Sequence, residues 1–191
     1  MHTVVVYESM YGNSRKVAET VGDALRDAGP VEVVPVSAAT DELVASADLV
    51  VVGGPTHVHT MSSKQTRASA QTQAQETAKK HGAEPPAMDE HWQDPGLRDW
   101  FKALPQSDGQ CAAAFDTRLD ARALLTGRAS RLIARKLARH DFTLVAEPES
   151  FLVDNRNRLL DSEVERAAHW ARGLRTAMAA EHGASGSWTA G

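Results

Sequence analysis

The chain is 191 residues long, with 21 Lys and Arg against 25 Asp and Glu, a net charge of −4 and 42% hydrophobic residues. That length suits one domain able to bury roughly 70% of its unfolded surface, and the apolar share excludes a disordered or fibrous chain. A single cysteine, Cys111, excludes a disulfide framework or a cysteine-based zinc site and points to a reducing compartment. The longest apolar runs fall far short of the ~20 residues needed to cross a bilayer. The first residues lack the pattern of a signal peptide. A single cytoplasmic domain over residues 1–182 is therefore expected, with a disordered tail over 183–191. Six of the 21 basic residues (Arg122, Arg128, Arg131, Arg135, Lys136, Arg139) lie between Ala121 and His140, where no acidic residue occurs, so 15 stand against 25 acidic residues elsewhere. Such asymmetry either steers a partner or marks a solvated helix face.

The pattern alternates strand and helix. Thr3–Tyr7 is a Val-rich run of the kind buried on both faces. The small polar segment Glu8–Ser14 leads into a helix with Val17, Val21, Ala24 and Leu25 on one face, stopped by Gly29-Pro30. Val31–Val36 reads as a second strand, and Thr40 as the cap of a short helix burying Leu43, Val44 and Ala47. Leu49–Val52 is the third strand, closed by Gly53-Gly54-Pro55. Residues 62–95 break the rhythm: rich in Gln, Thr, Ala and Lys, they form an insertion that is either loosely packed or a lid. A thin surface helix through Ala70, Ala74 and Ala78 fits within it. Leu97, Trp100, Phe101 and Leu104 then give a strong helical stripe. Gln110–Phe115 is the fourth strand. Thr126 and Gly127 open a basic helix that buries Ala129, Leu132, Ile133 and Leu137. Phe142–Ala146 is the fifth strand, with Phe151–Val153 a short extension, and Ser162–Glu165 a capping box for the last helix.

Five such strands imply a parallel sheet covered on both faces, with any ligand outside the carboxyl ends of the strands. Neither G-x-G-x-x-G nor a P-loop occurs, and Gly53-Gly54 stands where a phospho-acceptor receiver needs an Asp. The first loop suits an anion instead. Hydroxyls at Ser9 and Ser14, Gly12 for close backbone approach and a helix starting at Asn13 or Ser14 form a compact cradle.

The segment Val5-Val6-Tyr7-Glu8-Ser9-Met10-Tyr11-Gly12-Asn13-Ser14, continuing to Ala18 and Val21, resembles the flavodoxin signature, with Ser14 where that signature carries Thr. Gly53-Gly54-Pro55-Thr56 and Phe115-Asp116-Thr117-Arg118 follow at the matching strand ends. The resemblance implies an α/β three-layer sandwich with a five-stranded parallel sheet of order 2-1-3-4-5. It also implies bound FMN, the phosphate on Ser9, Met10, Tyr11, Gly12, Asn13 and Ser14. The ring would lie between Pro55, Thr56, His57 and Val58 on one side and Phe115, Asp116, Thr117 and Arg118 on the other.

Two departures stand out. The ring-flanking loops offer His57 and His59 but no Trp or Tyr, and Arg118, the two histidines and Arg67 would set a cationic rather than acidic environment. A nearby cation favours a reduced, anionic flavin, which suits a small reductase accepting hydride from NAD(P)H and serving a quinone or a redox partner protein. Arg118 alternatively pairs with Asp116 or Asp120. The expected function is FMN-dependent electron transfer or reduction; the other reading is a non-catalytic binding module with a degenerate flavin site, docking through its basic helix. Neither nucleic acid nor a membrane is an expected partner, and oligomeric state stays open.

Overall fold

A computed structural model describes residues 1–57, 60–80, 82, 84–121 and 127–185. Val58, His59, Arg122 and Thr126 lie outside the described residues, as does the end of the chain from residue 186. In chain order the elements are β1 (Thr3–Tyr7), α1 (Asn13–Leu25), β2 (Val31–Pro35), α2 (Asp41–Ala45), β3 (Leu49–His57), β4 (Thr60–Met61) and α3 (Lys64–Lys80). There follow α4 (Leu97–Ala103), β5 (Cys111–Leu119), α5 (Ala129–Arg139), β6 (Thr143–Leu144), β7 (Glu149–Val153) and α6 (Asp161–Ser185).

Strand order is β2-β1-β3-β5-β6, with β7 beside the upper half of β5 and β4 antiparallel to β3. This is the expected doubly covered parallel sheet, with seven strands in place of five. Period-two alternation assigns the faces. Val4, Val6, Val50, Val52, Ala112 and Ala114 pack toward α2, α4 and α5. Val5, Tyr7, Leu49, Val51, Ala113 and Phe115 pack toward α1 and α6. Every residue of β1 is buried, which is why the strand is nearly all Val.

Several boundaries differ from the sequence reading. β3 runs through Gly53-Gly54-Pro55 to His57, and β5 runs past Phe115 to Leu119, because Gly53, Gly54 and Pro55 pair in parallel register with Phe115, Asp116 and Thr117. Pro55 lies beyond the last β1 partner, Tyr7↔Gly53, where β3 has a neighbour on one side only and tolerates a missing N–H. The expected fifth strand is split. Leu144 pairs with Ala112 and Glu149 with Phe115, five steps on one strand against three on the other, so the segment around Pro148, which cannot donate, loops out.

Residues 62–95 are not a loose loop throughout, since α3 occupies 17 of them. Thr40 does cap α2, its hydroxyl accepting from the Leu43 N–H. The basic helix starts at Ala129 and leaves Leu132 only half-buried. No capping box forms at Ser162: α6 begins at Asp161, and the buried Glu163 instead accepts from the Leu152 N–H and the Arg166 guanidinium. α6 also continues through Gly183 to Ser185, where the sequence suggested the tail had begun.

Candidate functional site

The carboxyl ends of β1, β3 and β5 open onto a cleft of about 1200 Å³. Its base is the turn between β1 and α1. There the Ser9 hydroxyl accepts the Gly12 N–H at 3.1 Å, and Gly12 takes φ 82°, ψ −10°, the left-handed region natural to glycine. The first helix-closing bond of α1 is Lys16 N–H to the Gly12 carbonyl, 2.9 Å. The N–H groups of Asn13, Ser14 and Arg15 therefore have no acceptor within the helix, and the cap position has no side chain to supply one. No carboxylate lies in that first turn, so the positive end of the helix dipole is left for an anion. A Cβ at Gly12 would meet nothing within 4 Å, so the glycine serves the backbone conformation and not protein packing.

The turn is braced on both sides. Ser14 Oγ and Thr117 Oγ1 share a buried hydrogen bond of 2.8 Å, tying the start of α1 to β5. Asn13 Nδ2 donates to the Asn157 carbonyl at 2.8 Å, and its Oδ1 accepts from the Leu159 N–H at 3.0 Å. Asp154 Oδ1 in turn accepts the Arg156 and Arg158 N–H groups, fixing the turn after β7. That turn presents Asn155, Arg156 and Asn157 to the cleft. Sequence reasoning missed these three; the signal was the polar run Asp154–Arg158 following a strand at the same end of the sheet.

Ser9, Met10, Tyr11, Asn13 and Ser14 line the cleft, together with Pro55, Thr56, His57, Thr117 and Arg118. Three expected members among the described residues do not: Gly12, which shapes the turn without lining the cleft, and Phe115 and Asp116. Phe115 is fully buried, its ring lying where a Gly53 Cβ would be and packing edge-on to Phe151 and Trp170. Alternation along β5 sends Asp116 to the opposite face, where it is fully buried and its Oδ2 accepts the Ser130 N–H at 2.7 Å. With Thr56 Oγ1, which accepts the Ala129 N–H at 2.9 Å, it caps α5 from the sheet. Burial pushes the Asp116 carboxyl above its ordinary range, against hydrogen bonds that pull it down.

The cationic setting expected from sequence is thinner. Burial pulls His57 below its ordinary pKa, so it is neutral near pH 7, and among the described residues its Nε2 has no hydrogen-bond partner. Arg67 does not face the cleft. It is 3% exposed, and its Nη1 lies 3.1 Å from Oε1 of Glu8, itself 7% exposed. Glu8 also accepts from Ser62 Oγ and, at 2.8 Å, from the Leu97 N–H, while Arg67 Nη2 donates to the Asp94 carbonyl. Gly96 packs on this cluster so closely that a Cβ there would sit 2.5 Å from the Arg67 guanidinium. Arg118 lines the cleft and donates to the Leu119 and Ala121 carbonyls at 3.2 and 2.7 Å. Among the described residues, the charged ones lining the cleft are Arg118, Arg156 and Glu84.

The buried Glu8–Arg67 pair fastens α3 beside the cleft, which gives the insertion its role as a wall. Gln65, Thr66, Ser69 and Gln73, with Ala70, Ala74 and Ala78, face inward, and the Tyr11 hydroxyl donates to the Ala70 carbonyl at 3.3 Å. Trp100 is core, its indole N–H bonded to the Ala39 carbonyl, and Trp92 does not line the cleft.

Residues 4–83 match the flavodoxin domain family. Among solved structures, an archaeal flavodoxin is 19% identical with a TM-score of 0.60, covering 93% of this chain and 99% of its own. Oxidised flavodoxin 1 from Bacillus cereus is 16% identical with a TM-score of 0.61, covering 92% of this chain and 98% of its own. Rubredoxin oxygen:oxidoreductase from Desulfovibrio gigas is 18% identical with a TM-score of 0.59, covering 94% of this chain but 36% of its own. The comparison with curated proteins gives no match. No helix among the described residues is long and apolar enough to cross a membrane. Residues 4–83 thus match the flavodoxin domain family, and the described chain shares the flavodoxin fold.

Proposed function

We propose that the cleft binds FMN and that the protein works in flavin-dependent electron transfer or as a small reductase, with NAD(P)H, a quinone or a redox protein as the other party. The observation that carries this reading is the start of α1. Three helix N–H groups, following a left-handed glycine, open onto a large cleft with no carboxylate in the first turn. The residues present fit the cofactor. The N–H groups of Asn13, Ser14 and Arg15, with Ser9, would hold the phosphate, and Arg156 supplies a cation on the facing turn. The ring would lie between the β3 residues Pro55, Thr56 and His57 and the β5 residues Thr117 and Arg118. Bound there, FMN would supply one- and two-electron chemistry.

The protein's own groups set the conditions. His57, neutral near pH 7, offers a hydrogen-bonding nitrogen without adding charge. Arg118 is the cation at the β5 tip, where it stabilises negative charge. α3 closes one side with amides and hydroxyls in place of the aromatic side chains expected of flavodoxins. Burial pushes the Tyr11 phenol up, so it stays a neutral donor holding α3 through the Ala70 carbonyl.

Titration of the purified protein with FMN, followed by quenching of flavin fluorescence and by visible absorption, tests the reading. Tight stoichiometric binding is expected, abolished in Gly12→Asp, which places a carboxylate at the phosphate cradle while circular dichroism stays native-like. Absence of flavin binding by the folded protein would overturn the reading and leave a non-catalytic module.

A further inference from the structure

We infer that the outer face of α5 is a docking surface for a protein that presents a compact acidic patch. Arg131, Arg135 and Arg139 are exposed and stand four residues apart, so they form one row along the helix. At 1.5 Å rise per residue the row spans roughly 12 Å. Arg135 Nε donates to the Arg131 carbonyl at 3.4 Å, which orients the row. Lys136 lies beside it over the Phe101 ring, 5.6 Å from the centroid.

Among the described residues no acidic side chain neutralises this row, whereas several other cations are neutralised. Arg15 pairs with Asp89 and Glu90, Arg26 with Asp23, Arg158 with Asp154, and Arg166 with Glu149 and Glu163. Among the described residues no ion pair involves Arg131, Arg135 or Arg139. A chain of net charge −4 thus carries, from Ala121 to His140, six basic and no acidic residues, and the row on α5 raises the local positive potential there.

Position adds a second argument. Thr56, which lines the cleft, accepts the first N–H of α5, so the helix that carries the row begins beside the cleft. Leu144, one of the two exposed large apolar residues among those described, lies on β6, which packs against α5. The other, Leu119, stands at the cleft itself. A short row of charge with an exposed apolar side chain on the adjoining strand has the mixed composition of a protein-docking face.

The charge balance favours a compact partner over an extended polyanion. Duplex DNA carries a charge about every 1.7 Å and would run past this row onto the acidic remainder of the molecule. An anionic membrane is recognised by clusters of about 4–8 basic residues, and with Lys136 held over the Phe101 ring this face only reaches the bottom of that range. That the partner is a redox protein rests on the proposed function; the docking surface does not.

The test uses the full chain and a small, acidic [2Fe–2S] ferredoxin as probe, with binding measured by calorimetry at low and at physiological ionic strength. Duplex DNA and phosphatidylserine vesicles serve as parallel probes. The ferredoxin should bind at low salt, weaken as salt rises, and bind about tenfold or more weakly to the triple variant Arg131→Gln, Arg135→Gln, Arg139→Gln. The variant Arg172→Gln, Arg175→Gln removes two exposed cations from α6, on the other side of the sheet, and should bind like the parent. No ferredoxin binding at low salt, equal loss in both variants, or binding of DNA or vesicles alone would overturn the proposal. Flavin content is read separately by absorption. A protein that binds the ferredoxin through this row but takes up no FMN supports the surface and refutes only the flavin reading.

Discussion

Arg67→Met isolates the buried pair that fastens α3. In the native protein the Glu8 carboxylate accepts from Arg67 Nη1, Ser62 Oγ and the Leu97 N–H, and both charged side chains are less than a tenth exposed. Methionine keeps the volume and removes the charge, leaving Glu8 buried with two neutral donors. Breaking a buried pair from one side costs about 3–5 kcal/mol, a large share of the roughly 5–15 kcal/mol that stabilises a domain. The discount for solvent screening is small, since both side chains are less than a tenth exposed. At about 2–4 °C per kcal/mol for a domain of this size, the midpoint of thermal unfolding should fall by about 10 °C. The double variant Glu8→Gln, Arg67→Met removes the unpaired charge and should recover most of the loss. Urea unfolding of the parent, the single variants Arg67→Met and Glu8→Gln, and the double variant gives the coupling energy. Hydrogen exchange should rise selectively across residues 64–80, because Arg67 is the tie between α3 and the end of β1. A single variant within about 1 kcal/mol of the parent, with unchanged exchange in α3, would refute the reasoning.

The remaining predictions concern the groups around the cleft. Burial depresses His57 below 6.5, so the unfolded chain takes up a proton that the folded one refuses; stability should decline from about pH 7 to about pH 5 by more in the parent than in His57→Gln. Parallel unfolding curves against pH would contradict this. Asp116→Ala removes the acceptor for Ser130 and should cost about 1–2 kcal/mol in chemical unfolding. Because burial raises Asp116, its contribution is full below 3.8 and lost as pH rises through the folded value, so Asp116→Asn should compare better with the parent at neutral than at acidic pH. Arg118→Ala should lower the two-electron potential of the flavin-loaded protein by tens of millivolts, about 30 mV for each ~1.4 kcal/mol, while affinity for oxidised FMN changes little. Equal potentials measured against a reference dye would reduce Arg118 to a brace for the Leu119 and Ala121 carbonyls.

What the amino-acid order alone determined is local and periodic. The Val runs of β1 and β3, the cap at Thr40, the stripe of α4 and the apolar face of α5 each follow from period and neighbour chemistry, as does the turn at Gly12. From these the doubly wound sheet and the anion cradle were legible, because strands buried on both faces leave few topologies. Where elements stop was decided elsewhere. Gly53-Gly54-Pro55 reads as a strand end, yet the ladder to Phe115–Thr117 carries it on, and the bare Gly53 backbone makes room for the Phe115 ring. That extension turns Phe115 and Asp116 from loop residues into core and cap.

The polar segment 62–95 has no apolar period to announce its place. A salt bridge across 59 positions, Glu8 to Arg67, sets α3 against the cleft. Arg67 read as a cation for the site because composition assigns a charge but not its partner. Asn155, Arg156 and Asn157 reach the site only because Asn13 and Asp154 hold their turn against α1. Side-chain period is a property of near neighbours along the chain, whereas hydrogen-bond and ion-pair partners are chosen by distance in space. That is why the frame of the site was readable and the identity of its walls was not.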